Sequence, residues 1–329
     1  MNVRAATIGK VDTIGENPRT ERSAPSLGDY PRAFVEDGRP GAERRRTIDG
    51  LPLIAGSSSS PPLVSIITIV FNNRAHIERA MQSVVAQTYR NLEYIVVDGG
   101  STDGTVDAIR SYADFVSYWH SARDGGIADA FNRGVALARG DMIGLVNADD
   151  WMSPDQVEMA VNALTETDAP FVFGDLIYHQ AGGSAPVYRI TGDPDYARKL
   201  WHRMPQVTHP TAMVRREVYE RYGLFDPMWR IGMDYDWLCR LNFAGVRGTY
   251  RRDVLGHMSL GGVSDARWRQ CLLEHRAIAV RYGAAPMLMA PLFAVRRWKI
   301  ELRLLVERLV PAAISRRLRR VVNRSLSEA

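Results

Sequence analysis

The chain has 329 residues, 46% hydrophobic and 24% charged, a soluble globular balance with enough length for one large or two ordinary cores. Its two cysteines, Cys239 and Cys271, lie in no CxxC or Cys/His cluster, which excludes a disulfide framework or a zinc site and makes a reducing cytosol the default. The net charge of +5 is uneven: residues 296–329 carry ten basic and three acidic side chains, residues 63–295 carry 23 and 26, so the acidic core excludes nucleic acid as a partner.

Residues 1–62 mix charge, Gly, Pro and Ser without periodicity and close on "GSSSSPP" (56–62). Such a stretch buries too little apolar surface to offset its ordering entropy and reads as a disordered leader and linker. Residues 1–10 lack the apolar centre of a signal peptide. No run of about 18 apolar residues offers a spanning helix.

From Leu63 the pattern changes. "LVSIITIV" (63–70) is a β-branched run expected of a strand buried on both faces. A helix follows Asn72 and Asn73, with Ile77, Met81, Val84 and Val85 on one face. "LEYIVVD" (92–98) is a second buried strand, and "STDGT" (101–105) caps a helix carrying Val106, Ile109 and Tyr112. "VSYWHS" (116–121) reads as a short strand and 125–139 as a helix with Ile127, Phe131, Val135 and Ala138 in register. "MIGLV" (142–146) is a strand, 153–164 a helix with Ser153 as cap and Pro154 in its first turn, and "FVFGDLIY" (171–178) a strand.

This alternation predicts an α/β fold with a mostly parallel sheet flanked by helices. Ligands in such sheets bind beyond the carboxyl ends of the strands. Asn72, Asp98 and the pair Asp149–Asp150 fall there, on one rim. Neither a GxGxxG fingerprint nor a Walker P-loop is present, which disfavours dinucleotide enzymes and P-loop kinases.

The segments "VSIITIVFNN", "SVVAQTYRNLEYIVVDGGSTDGT", "DGGIADAFNRGVALARGDMIGLVNADD" and "HPTAMVRREVYERYGLFDP" occur in the order found in family 2 glycosyltransferases, and the chain resembles their bacterial surface-polysaccharide branch over about residues 63–265. The resemblance implies a GT-A, Rossmann-like fold, a nucleotide-diphosphate-sugar donor, a Mg²⁺ or Mn²⁺ ion, and inversion at the anomeric carbon. It places Val70 and Asn72 by the base and ribose, and Asp98 at the nucleobase edge. "ADD" matches the DxD-type signature, with Asp149 toward ribose and metal shell and Asp150 as the metal ligand. Asp129 and Asn132 match the helix lining the donor site, and Asp234 matches the catalytic base. Two departures stand out. Ile69, Val70, Phe71 and Asn72 replace a common Pro-Thr-Tyr-Asn, losing a hydroxyl. Met233–Asp234 replaces the usual Glu-Asp, and Asp236 is a rival base; on a helix the two aspartates point about 200° apart.

The chemistry suits these types. A diphosphate leaving group gains charge that a hard cation stabilises, using one or two protein carboxylates. A single displacement needs one general base and no nucleophile. The paired carboxylates of a glycoside hydrolase find no counterpart. His257 is a candidate further metal ligand. His209, Trp151, Trp201, Trp229 and Trp237 fit either a sugar groove or the core.

In the tail, Trp298, Leu302, Leu305 and Leu309 form one helical stripe, and Ile314, Leu318, Val321 and Val322 another, with arginines on other faces. A basic amphipathic helix over 296–325 suits an anionic membrane. The expected organisation is a leader (1–62), a GT-A domain (63–283) and a helical tail (284–329). The expected function is an inverting, metal-dependent transfer to a glycan, with a lipid-linked acceptor, peripheral to the inner face of the plasma membrane. The rival readings are a non-catalytic sugar-nucleotide or glycan-binding protein and a nucleotidyltransferase.

Overall fold

The computed structural model describes residues 24–30, 42–43, 46–50, 61–201 and 207–309. In chain order the elements are β1 Ala42–Glu43, β2 Val64–Val70, α1 Ile77–Val85, β3 Leu92–Asp98, α2 Thr105–Ser111, β4 Tyr118–Ser121 and α3 Ile127–Leu137. Then come β5 Met142–Asn147, β6 Trp151–Met152, α4 Gln156–Thr167, β7 Phe171–His179, β8 Pro186–Ile190, α5 Tyr196–Lys199, β9 Met213–Arg215 and α6 Arg216–Tyr222. The last are α7 Met233–Phe243, β10 Thr249–Ser259, α8 Val263–Ala266, α9 Trp268–Arg281 and α10 Pro286–Leu309.

The strands form one mixed sheet in the order β1-β4-β3-β2-β5-β9-β7-β10-β6, with β8 paired to β7. Its centre is parallel, as the β-branched runs require: β2 pairs with β3 and β5, and β3 with β4. The short β9 is antiparallel to both β5 and β7 and joins this centre to the parallel pair β7–β10. Because β2 is buried along its whole length, its side chains serve two cores alternately. Ile67 and Ile69 pack with Phe131 and Val135 of α3 on one face, and Val64, Ile66 and Val70 with Met81 and Val84 of α1 on the other.

Register sets the rim. Val70 lies beside Asp98, Asp98 beside Ser121, and Ile69 beside Asn147. The carboxyl ends of four parallel strands therefore stop at one level, and the segments that follow them share one ledge.

The leader departs from the expectation of disorder wherever it is described. Tyr30 is buried in the α3-side core. Pro25 O accepts the Leu224 amide at 2.8 Å. Ile48 is buried in the α1-side core and donates its amide to Leu92 O at 3.0 Å, and β1 pairs antiparallel with β4. Its few apolar residues supply anchors that composition averages away. The remaining leader residues, and the tail stripe from Ile314 to Val322, lie outside the described residues.

Among the described residues no helix is long and apolar enough to cross a membrane. In α10, Met289 and Phe293 pack toward α9, while Met287, Leu288, Val295, Trp298, Leu302 and Leu305 are exposed.

Gly174 marks a tight point of the sheet: a Cβ there would lie 1.8 Å from the Val254 carbonyl oxygen, where the β7–β10 register shifts. Replacing Gly174 by Ala is expected to lower unfolding stability by roughly 2–3 kcal/mol through overpacking. Urea titration checks this, and a midpoint equal to that of the parent chain contradicts it.

Candidate active site

β5 leads straight into the carboxylate pair. The Asp150 amide donates to Asn147 O at 3.1 Å, and Asn147 Nδ2 donates to Asp150 Oδ2 at 2.9 Å, folding the turn back on the strand end. Asp150 is 1% exposed, and its other oxygen meets only the Ser259 amide at 3.4 Å. Burial, then the charge of Asp149, pushes its carboxyl up to about 8. A buried carboxylate so thinly hydrogen-bonded is costly unless a cation joins it.

The nearest protein cation is Arg79 of α1. It donates to Ser259 Oγ at 3.1 Å and to Gly183 O at 3.1 Å, and Ser259 Oγ in turn donates to Asp149 O at 2.9 Å. Its guanidinium lies 3.7 Å over the Trp151 ring, a cation–π contact. Burial lowers its pKa, opposed by Asp150 and Asp149.

Trp151 also stacks on His257, with ring planes 5° apart. His257 is no open metal ligand, contrary to the sequence expectation. Ser184 O can only accept, so His179 Nδ1 donates to it at 2.8 Å, and His179 Nε2 must accept from His257 Nδ1 at 2.9 Å. His257 Nε2 then accepts from Ser153 Oγ at 3.0 Å. Both ring nitrogens are spent, and burial followed by the neighbouring His179 lowers its pKa to about 4. Among the described residues no group of three His, Cys, Asp or Glu side chains stands ready to hold a metal alone. Asp150 and Asp149 offer the two oxygen donors typical of a Mg²⁺ or Mn²⁺ site that takes its other ligands from phosphate and water.

At the next strand ends the loops are stitched together. Asn72, with φ of 47°, donates its amide to Ser101 Oγ at 2.7 Å and accepts the Thr102 amide at 2.9 Å. Asp98 is wholly buried and holds this loop, accepting from the Gly100 and Ser101 amides at 3.1 and 2.9 Å and from the Ser101 and Ser121 hydroxyls. Its carboxylate is closed to solvent. Val70 is likewise turned into the core, and the ring of its neighbour Phe71 is the part that projects. Asn132, also completely buried, donates to Phe225 O at 2.8 Å and Tyr30 Oη at 3.1 Å and accepts the Phe225 amide at 3.0 Å. Sequence reasoning lined the donor site with Val70, Asp98 and Asn132; the structure places them behind it, where strand and helix packing consumes their polar groups. Asp129 is half-buried at the head of α3, accepting the Gly125 amide at 2.8 Å and pairing with Arg133 at 2.9 Å. Asp124, nearby, accepts the Gly126 amide at 2.8 Å through Oδ1. Burial raises its pKa, with Asp129 and Asp98 adding to the effect.

The two aspartates of α7 divide as the helical angle requires. Asp236 is fully buried and accepts from Trp229 Nε1 at 3.0 Å and Arg240 Nη2 at 2.7 Å, with Arg281 at 3.6 Å. Asp234 is half-buried, and only its Oδ1 is engaged, by the Tyr235 amide at 2.7 Å. Glu274 of α9 steadies this helix start by accepting the Arg230, Ile231 and Gly232 amides at 3.2, 2.9 and 2.8 Å, groups that lack a partner within a helix. His209 Nε2 is buried without a hydrogen-bond partner, and burial lowers its pKa against the charge of Asp234. Burial raises the Tyr178 phenol, and Tyr188, Asp265, Asp150 and Asp234 push the same way, so this phenol stands between the two acidic stations. Sequence reasoning missed Arg79, Tyr178 and Glu274: each sits in an ordinary helix or strand, with no spacing signal.

The family model described as Glycosyl transferase family 2 matches residues 65–223. An uncharacterised glycosyltransferase of Rickettsia typhi is 31% identical over 195 residues, 56% of this chain and 60% of that protein. One from Mycobacterium tuberculosis is 44% identical over 109 residues, 32% of this chain and 42% of that protein. The chain thus spans less than two thirds of the length of these curated relatives. A PGL/p-HBAD biosynthesis glycosyltransferase of Mycobacterium bovis is 30% identical over 257 residues, 76% of this chain and 96% of the relative. Among solved structures, a mannosyltransferase from Pyrobaculum calidifontis in complex with GDP-Man and Mn²⁺ aligns with a TM-score of 0.53 at 24% identity, covering 74% of this chain and 71% of that one. Staphylococcus aureus TarS 1–349 in complex with UDP-GlcNAc aligns at 0.52 and 15% identity, with 70% of each chain covered. The fold is that of the GT-A glycosyltransferases.

Asp150 yields a signed pH prediction. Its folded pKa of about 8 exceeds the ordinary 3.8, so between those values the folded chain keeps a proton that the unfolded chain releases, and stability falls as pH rises. The Asp150→Asn variant lacks this penalty. In thermal unfolding under chelator, its advantage over the parent is expected to grow from about pH 4 to about pH 8. A difference independent of pH overturns the assignment of strain to Asp150.

Proposed function

The chain belongs to glycosyltransferase family 2, and on that premise we propose that it is an inverting, metal-dependent enzyme moving a sugar from a nucleotide-diphosphate donor to a glycan hydroxyl. The observation that carries this reading is the pairing of two acidic stations with opposite character. Asp150 is buried, under-bonded and held beside Asp149, which suits a cation. Asp234 is half-exposed with one oxygen free, which suits a base.

In this reading Asp150 and Asp149 hold a Mg²⁺ or Mn²⁺ ion, which when bound supplies charge stabilisation to the departing diphosphate. Asn72 and Asp129 frame the donor on the rim, supported from behind by Asp98, Val70 and Asn132. Asp234 Oδ2 takes the proton of the acceptor hydroxyl as the new C1–O bond forms and the C1–O bond to phosphate breaks. The nucleoside diphosphate leaves with the bonding pair, and a single displacement inverts C1. Asp236, already committed to Trp229 and Arg240, keeps the helix in place and has no free oxygen for that proton.

The acceptor is read as a lipid-linked glycan of surface-polysaccharide synthesis, met at the inner face of the plasma membrane. Support comes from the exposed Leu288, Val295, Trp298, Leu302 and Leu305 of α10 and from the ten basic residues of 296–329. An apolar stripe edged with arginine matches an anionic interface.

Asp234→Asn is expected to slow sugar transfer about 10²–10⁴-fold while leaving donor affinity near that of the parent. Transfer at the parental rate removes Asp234 from the role of base. For the tail, a chain ending at residue 295 retains Met289 and Phe293 on α9 and is expected to lose flotation with vesicles containing phosphatidylglycerol. Equal flotation of the shortened and full chains ends the membrane reading.

A further inference from the structure

Gly99 follows the buried Asp98 and lies between two groups that no role yet described uses. A Cβ placed on it would stand 2.8 Å from Asp124 Oδ2 and 3.3 Å from the Phe71 ring. Phe71 is 63% exposed, an unusual state for a large aromatic ring. The bare backbone of Gly99 thus floors a slot with an open aromatic face on one side and a carboxylate oxygen on the other.

The hydrogen-bonding character of this slot is one-sided. The backbone N–H groups of Asn72, Gly99, Gly100, Ser101, Thr102 and Gly126 are each already given to a protein acceptor. Asp98 is closed to solvent behind its four donors. Asp124 is half-exposed and commits only Oδ1, to the Gly126 amide, leaving Oδ2 turned toward Gly99. An ionised carboxylate accepts and cannot donate. A planar ligand that lies on Phe71 and reaches over Gly99 must therefore bring an N–H to Asp124.

We propose that Asp124 reads the nucleobase of the donor: the base stacks on Phe71, crosses Gly99 and gives its imino N–H to Asp124 Oδ2. The donor therefore carries uracil, thymine or guanine. These bases present an N–H at the centre of the pairing edge. Cytosine and adenine present a ring nitrogen lone pair there, which the carboxylate repels. This inference rests on the reading of the rim as a nucleotide-sugar site, and it deepens that reading by transferring base recognition from Asp98 to Asp124.

Isothermal titration of the full chain with UDP, dTDP, GDP, CDP and ADP in the presence of Mg²⁺ tests it. One of the first three is expected to bind at least about tenfold more tightly than CDP and ADP, because a hydrogen bond to a charged group is gained in one case and an unpaired lone pair faces it in the other. Asp124→Asn keeps an oxygen for the Gly126 amide, so the turn is retained, and is expected to weaken the preferred diphosphate about 10–100-fold and to narrow the preference. Gly99→Ala is expected to weaken the preferred diphosphate as well, since its methyl group fills the slot. Preference for CDP or ADP, or parental affinity and selectivity in either variant, overturns the inference alone. Failure of the parent chain to bind any of the five overturns the donor-site reading beneath it.

Discussion

A carboxylate stripped of water governs the architecture of this site. Asp150 sits at the end of a fully buried strand, next to a second carboxylate, with one amide group and one arginine to balance it. In a low-dielectric interior such a group is neutral, paired or bound to a cation. The surroundings are arranged to hold the position and leave the balance incomplete. Asn147 fixes the direction of the carboxylate. Arg79 is anchored by Ser259, Gly183 and Trp151, so its charge is present in the neighbourhood, yet it forms no direct ion pair that would occupy the oxygens.

The same logic explains the aromatic and histidine cluster behind the pair. Trp151 must lie under Arg79 for the cation–π contact, and its other side is covered by His257. His257 would be a poor neighbour to Arg79 if it carried charge. The hydrogen-bonded run from Ser153 through both histidines to Ser184 O fixes a neutral form for each ring. A histidine close to an acidic pair thus serves as packing with defined polarity, and its apparent fitness as a ligand disappears once both nitrogens are traced.

Much of the fold was legible because it rests on period and register. The continuous apolar runs at 63–70, 92–98 and 142–146 became parallel neighbours, and their ends share a level. The strands that escaped notice are those whose sequence does not carry the signal: β9 has three residues, and β10, with several arginines and a bulge near Val254, alternates poorly. In the site, motif matching placed residues on the right rim but said nothing of which way they face. Val70, Asp98 and Asn132 sit within matched motifs and are buried, whereas Phe71 and Asp124, their close sequence neighbours, reach the surface of the slot. A one-residue step along a strand reverses the face, and strand ends are where that step decides between post and ligand contact. The leader failed for a different reason: Tyr30 and Ile48 are isolated apolar residues, and isolated anchors have no period.

The remaining ambiguity of sequence, Asp234 against Asp236, shows how helical geometry and partners combine. Two residues on, a helix has turned by about 200°, so one aspartate enters the interior when the other meets the rim. The interior position is filled with cations: Arg240 and Arg281 surround Asp236, and Arg240 also donates to Tyr222 O and Leu224 O. That buried charge is matched and ties the helix to the loop before it. Asp234 lies at the opposite angle, where the first-turn amides of α7 would be the natural donors to any nearby acceptor. Glu274 answers three amides of the lead-in from a neighbouring helix. With those donors occupied, Asp234 is left as a carboxylate held firmly at one oxygen and open at the other, and a group in that state is suited to receiving a proton from outside the protein.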